Sequence, residues 1–299
     1  MSNPQRVTFT VDGIAIAGHL HAADAARRGT AVLVAGPSPQ VKEQVPDTYA
    51  ARFATAGFPA MTIDHRNFGE SGGEPRFREN PAGKLADLRA AVSFLTALPA
   101  VDRVAVVGVC AGAGYALKAA AYDPRIAAFV GVAGFYPDPA ALRQAMGERA
   151  YRDALRATIG VLEREDRGDP VQYVPHVAPD GGTALIVGGE PYEYYGTARG
   201  RAPHYRNEIT ADTGYTMLTL DGATAASLLA PTPALIVHGE KDAYCTPEQA
   251  RAVYGRIGGS KEMVWLPADT HIAFYDDTAV VDAAVTAAVT FLERVSGPG

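Results

Sequence analysis

Gly108-Val109-Cys110-Ala111-Gly112 is the stretch whose reading decides the fold. It follows the apolar run Val104-Ala105-Val106-Val107, which reads as a buried strand. It precedes Gly114-Tyr115-Ala116-Leu117-Lys118-Ala119-Ala120-Ala121, which reads as a helix. Strand, tight turn and helix are the context in which a G-x-nucleophile-x-G pentapeptide forms a nucleophile elbow. Gly108 and Gly112 let strand and helix approach closely, and Cys110 then stands exposed at the carboxyl end of a parallel sheet. Cysteine occupies the place where serine is usual. A thiolate there is stabilised by the helix N-terminus and by a nearby imidazole. The bland alternative is a packing cysteine, since free cysteines are commonly buried.

Outward from the elbow, strands alternate with helices. Val7–Val11, Asp12-Gly13 and Ile14–Leu20 read as a hairpin, because Asp-Gly is a strong two-residue turn signal. Strands are predicted at 30–34, 59–63, 103–107, 126–132, 233–239 and 262–266. Helices are predicted at 47–56, 81–98, 111–121, 247–256 and 276–295. Asn80-Pro81 reads as an N-cap with proline at the first helical position. This order implies an α/β fold with a mostly parallel, doubly wound sheet. Between about Pro137 and Ala230 the rhythm breaks, and the chain grows richer in charge, Tyr, Pro and Gly. The expected organisation is a core over 1–136, an inserted cap over 137–230 and the rest of the core over 231–299.

The 299 residues are 47% hydrophobic and carry a net charge of −6, with Lys and Arg scattered, so nucleic-acid binding is not expected. No apolar leader precedes the first strand and no apolar run has spanning length, so no signal peptide and no membrane association are expected. Two cysteines, Cys110 and Cys245, make no disulfide framework, and a cytoplasmic location is the economical expectation. No metal-ligand spacing, dinucleotide fingerprint or phosphate loop is present in the sequence, so no metal and no cofactor are expected.

An activated thiol needs a base, and the base needs an orienting acid. Of seven histidines, His271 alone lies in a loop after the last strand. Asp242 lies in the loop after the preceding strand, with Glu240 as its nearest competitor. The order Cys110, Asp242, His271 is the order that an elbow-type enzyme uses. Ala111 N–H is the natural first oxyanion donor. Pro37 and Pro39 have no N–H, so the second donor is Ser38 or Gln40, with Ser38 preferred. Tyr192, Tyr194 and Tyr195 are candidates to line a substrate pocket, with ordinary packing equally in view. Arg66 is read as mainly structural, and His19, His21, His204 and His238 as structural or surface residues.

These residues resemble the α/β-hydrolase superfamily, and the cysteine with later aspartate and histidine resembles its dienelactone hydrolases. The resemblance is to a dienelactone-hydrolase-like branch of bacterial proteins with fungal relatives in polyketide pathways. It rests on Val41-Lys42-Glu43-Gln44, Gly69–Pro81, the elbow, Tyr173-Val174-Pro175, Tyr192-Glu193-Tyr194-Tyr195, Thr270-His271-Ile272 and Tyr275-Asp276. Ser38-Pro39-Gln40 departs from that branch's glycine-rich loop. The resemblance implies an α/β-hydrolase fold and a cofactor-independent hydrolase of an ester, lactone or acyl thioester. An acyltransferase or cyclase in polyketide biosynthesis is the first alternative, and a lyase or isomerase without an acyl-enzyme the second; a non-catalytic binding protein is a third. The expected partner is a small acyl substrate, free or carrier-bound, with a homodimer left open.

Overall fold

Asp12 and Gly13 both take positive φ, 52° and 79°, the geometry of a two-residue type I′ turn. They join β1 (Gln5–Val11) to β2 (Ile14–His21) in an antiparallel hairpin that pairs Val11 with Ile14. The computed structural model describes residues 3–23 and 29–296. Beyond the hairpin come β3 (Gly29–Ala35), β4 (Ala60–Ile63), β5 (Val101–Val109), β6 (Ile126–Val132), β7 (Ala234–Gly239) and β8 (Lys261–Leu266). The eight form one sheet in the order β1-β2-β4-β3-β5-β6-β7-β8, parallel from β4 to β8. Every residue of β3 and β7 is buried, as expected of parallel strands covered on both faces.

The helices divide between the faces. On one lie α2 (Pro81–Thr96), α3 (Ala111–Tyr122) and α8 (Pro247–Arg256), which contribute Leu88, Val92, Leu117 and Val253 to one core. On the other lie α1 (Val45–Thr55) and α10 (Thr278–Ser296), which contribute Tyr49, Phe53, Val285 and Phe291 to a second. Asn80 caps α2 by accepting from Gly83 N–H at 2.9 Å, with Pro81 in its first turn. The doubly wound sheet expected from the alternation is therefore present.

The chain leaves the sheet after Val132 and returns at Ala234. In between are α4 (Pro139–Met146), α5 (Glu148–Asp166), α6 (Gly189–Tyr195) and α7 (Thr213–Thr219). Two pairs of two-residue strands, Tyr173–Val174 with Ile209–Thr210 and Val177–Ala178 with Ile186–Val187, stand apart from the main sheet. Of the largely apolar stretch Thr183-Ala184-Leu185-Ile186-Val187, only Ile186 and Val187 pair as strand. A four-residue helix, α9 (Ala273–Asp276), precedes α10. Among the described residues, no helix is long and apolar enough to cross a membrane.

Candidate active site

The turn between β5 and α3 puts Cys110 at φ 52° and ψ −124°, a strained region for a residue with a Cβ. Three backbone hydrogen bonds hold it there. Its N–H donates to Val132 O at 3.1 Å, and its carbonyl accepts from Ala113 N–H at 3.0 Å and Phe135 N–H at 2.8 Å. The flanking glycines are sterically required. A Cβ on Gly108 would lie 2.4 Å from Ala113 Cα, and one on Gly112 would lie 2.2 Å from Ala35 O. Ala111 opens α3, so its N–H has no intrahelical acceptor and faces the same end of the sheet as the thiol.

Asp242 follows β7. One carboxylate oxygen accepts from Tyr244 N–H at 2.9 Å and from Cys245 N–H at 2.7 Å. The other lies 2.6 Å from His271 Nδ1. Asp242 is 4% and His271 3% exposed, so water competes little for this bond. With Nδ1–H given to the carboxylate, Nε2 is left to face the thiols and the Tyr275 hydroxyl, which is 3.1 Å away. The two competing acids are elsewhere: Glu240 is exposed, and Asp269 pairs with Lys241 at 3.0 Å on the surface.

Cys245, which was not singled out from sequence, completes the cluster. Its sulfur lies 4.0 Å from Cys110 Sγ and 4.0 Å from His271 Nε2. The two sulfurs and an imidazole nitrogen all fall within 4.8 Å of one another. Cys110 is half-buried and Cys245 buried. The Cys245 thiol beside Cys110 stabilises the Cys110 thiolate, and with the His271 charge it outweighs burial, so the Cys110 pKa falls well below the usual thiol range. Burial, then the neighbouring Cys110 thiolate, push Cys245 well above it. For His271, burial opposes the imidazolium, but Cys110 and Asp242 raise its pKa to about 10. The favoured state is a thiolate–imidazolium pair beside a neutral thiol. The signal that could have found Cys245 is its position three residues after Asp242, where an aspartate-capped turn folds the chain back on itself.

A cavity of about 220 Å³ opens onto Cys110, Ala111 and Ser38. Its far wall comes from the segment between β6 and β7, through Leu185, Ile186, Ile209, Met217 and Leu220. Ser38 belongs to a buried polar cluster. Its hydroxyl donates to Glu79 and accepts from Lys84 Nζ at 2.7 Å, while Lys84 also reaches Glu79 at 2.8 Å. The Tyr115 hydroxyl donates to the other Glu79 oxygen at 2.5 Å. Burial raises the Glu79 pKa, but Lys84 and these hydrogen bonds lower it further, so the carboxylate stays ionised. Glu79 and Lys84 were not singled out from sequence, because nothing local ties them to the Ser38 loop.

The three tyrosines fall outside the cavity lining. Tyr194 and Tyr195 are buried in the core on the α1/α10 face, and Tyr192 packs on it half-buried. The Tyr194 and Tyr195 rings stand 5.1 and 6.0 Å from Tyr275, whose ring is 5.2 Å from His271. They back the histidine with aromatic surface, because α6 turns these side chains toward α9 rather than toward the cavity. Gln40, the other candidate oxyanion donor, is buried, and its side-chain amide has no hydrogen-bond partner. Arg66 is tied to Asp87 at 2.8 Å and does not line the cavity. His19 and His21 both bond Asp47, at 2.7 and 2.9 Å, and His238 bonds the Gly239 carbonyl at 3.0 Å.

A family model described as "Alpha/beta hydrolase family" matches residues 16–284. An uncharacterised Pseudomonas aeruginosa protein, PA2218, is 30% identical over 266 residues, covering 82% of this chain and 68% of the relative. The crystal structure of that protein superposes with a TM-score of 0.84 at 27% identity, covering 97% and 92% of the two chains. The thiohydrolase apmlB of Arthrinium phaeospermum is 32% identical, over 88% of this chain and 87% of the relative. The structure of GrgF from Penicillium, a protein named a polyketide transferase, superposes with a TM-score of 0.81 at 25% identity, over 97% and 98% of the two chains.

Proposed function

Because this chain belongs to the alpha/beta hydrolase family, we propose that it is a cofactor-independent acyl-transferring enzyme that works through a Cys110 thioester. The observation that carries the reading is one cluster: an elbow thiol within 4.8 Å of an imidazole nitrogen, with the other ring nitrogen 2.6 Å from a buried carboxylate. Cys110 Sγ attacks the acyl carbon of an ester, lactone or thioester. His271 then gives the proton from Nε2 to the leaving oxygen or sulfur, and takes one from the incoming water or second nucleophile. Asp242 fixes the tautomer and stabilises the imidazolium without being protonated itself. Ala111 N–H, with Ser38 N–H as second donor, receives the oxyanion. The Glu79–Lys84 cluster would hold the Ser38 loop in place for that task.

The chain between β6 and β7 acts as a cap that selects the acyl group, through apolar side chains such as Ile186 and Met217. Those residues suit an acyl chain better than a charged substrate. The relatives named thiohydrolase and polyketide transferase support a thioester substrate and leave two acceptors, water and a second nucleophile. Intact-protein mass spectrometry after mixing with a medium-chain acyl thioester tests the reading. The expected result is an added acyl mass on Cys110 that is absent from Cys110→Ala; turnover without any adduct, retained by Cys110→Ala, refutes it. Adding a free thiol or amine during turnover separates the acceptors, because a transferase diverts the acyl group and a strict hydrolase does not.

A further inference from the structure

Cys245 has no task in the acyl chemistry beyond its hydrogen bond to Cys110, yet it is placed with care. Its backbone N–H is fixed by Asp242 at 2.7 Å, and its sulfur is equidistant from Cys110 Sγ and His271 Nε2, at 4.0 Å from each. A tetrahedral zinc ion has Zn–S bonds of about 2.3 Å and Zn–N bonds of about 2.0–2.1 Å. By tetrahedral geometry, two thiolates on such an ion lie about 3.8 Å apart, and a thiolate and an imidazole nitrogen about 3.6 Å apart. The two separations from Cys245 Sγ are only slightly wider, and all three donor atoms lie within 4.8 Å of one another, so a small contraction of the cluster would close it around an ion. The donor set is two soft sulfurs and one imidazole, which favours zinc over magnesium or calcium. The Asp242 carboxylate, 2.6 Å from His271 Nδ1, would also orient the buried imidazole toward an ion on Nε2. Tyr275, now 3.1 Å from Nε2, is the group an ion would displace from that nitrogen.

We infer that Cys110, Cys245 and His271 form a Cys2His site for Zn2+, with Asp242 behind the histidine and a fourth coordination position open to the cavity. Binding releases two protons to solvent, one from the Cys245 thiol and one from the Cys110–His271 pair, and leaves two thiolates and a neutral imidazole on the ion. Occupancy takes both the nucleophile and the base out of acyl chemistry. On the proposed function, Zn2+ is therefore a reversible inhibitor relieved by a chelator.

The test titrates the full-length protein with Co2+ under a non-thiol reductant and then competes it with Zn2+. The expected result is one ion per chain, with a thiolate-to-cobalt charge-transfer band and the visible intensity of a tetrahedral site, both abolished by Zn2+. Cys245→Ser should cut the charge-transfer band to about half and weaken binding at least tenfold. Asp242→Asn keeps both sulfurs and should weaken binding about 10–100-fold, so the inference remains testable if Cys245→Ser does not fold. No charge-transfer band, or a band and affinity unchanged in both variants, overturns it. An enzyme that turns over acyl thioesters without binding Co2+ overturns this inference alone. A protein that binds Co2+ as expected but never acquires an acyl group overturns the proposed function alone.

Discussion

The carboxyl edge of the sheet and the chain that lies over it are built by different rules. At the sheet edge, Cys110, Asp242 and His271 each sit in a loop that follows a strand of the main sheet, and each is tied by backbone or side-chain hydrogen bonds of 2.6–3.1 Å. Over the cavity, residues 133–233 contribute short strands of two residues, helices of seven, and the long helix α5, which buries only Tyr151. On the proposed function, the hydrogen-bonded edge carries the bond-making, which tolerates little misplacement, and the less regular roof carries the side chains that set which acyl group fits. The difference predicts that chemistry and selectivity can be damaged separately.

The largest effect should come from the edge. Asp242→Asn leaves the histidine in place with the wrong tautomer, and acyl turnover should fall by up to about 10⁴-fold, while Glu240→Gln changes it little. Steady-state kinetics with one acyl thioester reads both, and the reverse ranking would misassign the acid. The edge also bears on the thiol itself, through Cys245 and His271. Alkylation of Cys110 by iodoacetamide should rise with pH well below the free-cysteine range, because its thiolate is stabilised by Cys245 and His271. His271→Ala should shift that profile upward; a profile that stays put removes His271 from the activation of the thiol.

Glu79→Gln sits at the join of the two regions. It keeps the shape but strips the charge that Lys84 and Ser38 converge on, so turnover should drop by about 10²-fold, in the range of one lost oxyanion donor. Cys110 alkylation should hardly change, which distinguishes a displaced Ser38 loop from a damaged thiol. In the roof, Ile186→Ala or Met217→Ala should alter the ratio of kcat/KM between long and short acyl groups by about tenfold and leave alkylation untouched. If these variants silence the thiol instead, the separation of edge and roof fails.

The smallest effect is on stability, far from the cavity. Asp47 accepts from His19, His21 and Thr62, and although burial raises its pKa, these bonds win and lower it to about 2. A carboxylate with a depressed folded pKa stabilises above its unfolded value and loses that contribution as pH falls through the folded one. Asp47→Asn should therefore cost about 2 kcal/mol at pH 7. The variant and the parent should converge between about pH 4 and pH 2, as read by urea denaturation.

The strands, the Asp12-Gly13 turn and the Asn80-Pro81 start of α2 were legible because each rests on residues within a few positions of one another. The elbow was legible for the same reason: its glycines answer to contacts within the turn and with one adjacent strand. Asp242 and His271 could be named because both lie in loops at strand ends, and chain order alone singled them out. The tyrosines of α6 show where that reasoning ended. Their composition suggested a pocket, but only the packing of α6 against α9 fixed which way Tyr194 and Tyr195 point.

The sequence by itself therefore determined the alternating sheet, the Cys110 turn and the loops that carry an acid and a base, since periodicity, turn chemistry and glycine requirements are local. Tertiary structure alone decided that Cys245 lies 4.0 Å from Cys110 across 135 residues of chain. It also decided that Glu79 and Lys84 converge on Ser38, and that Ile186 and Met217 line the same cavity as the thiol. These juxtapositions depend on how separate crossovers pack and how side chains are aimed at the end of them. No spacing along the chain encodes that.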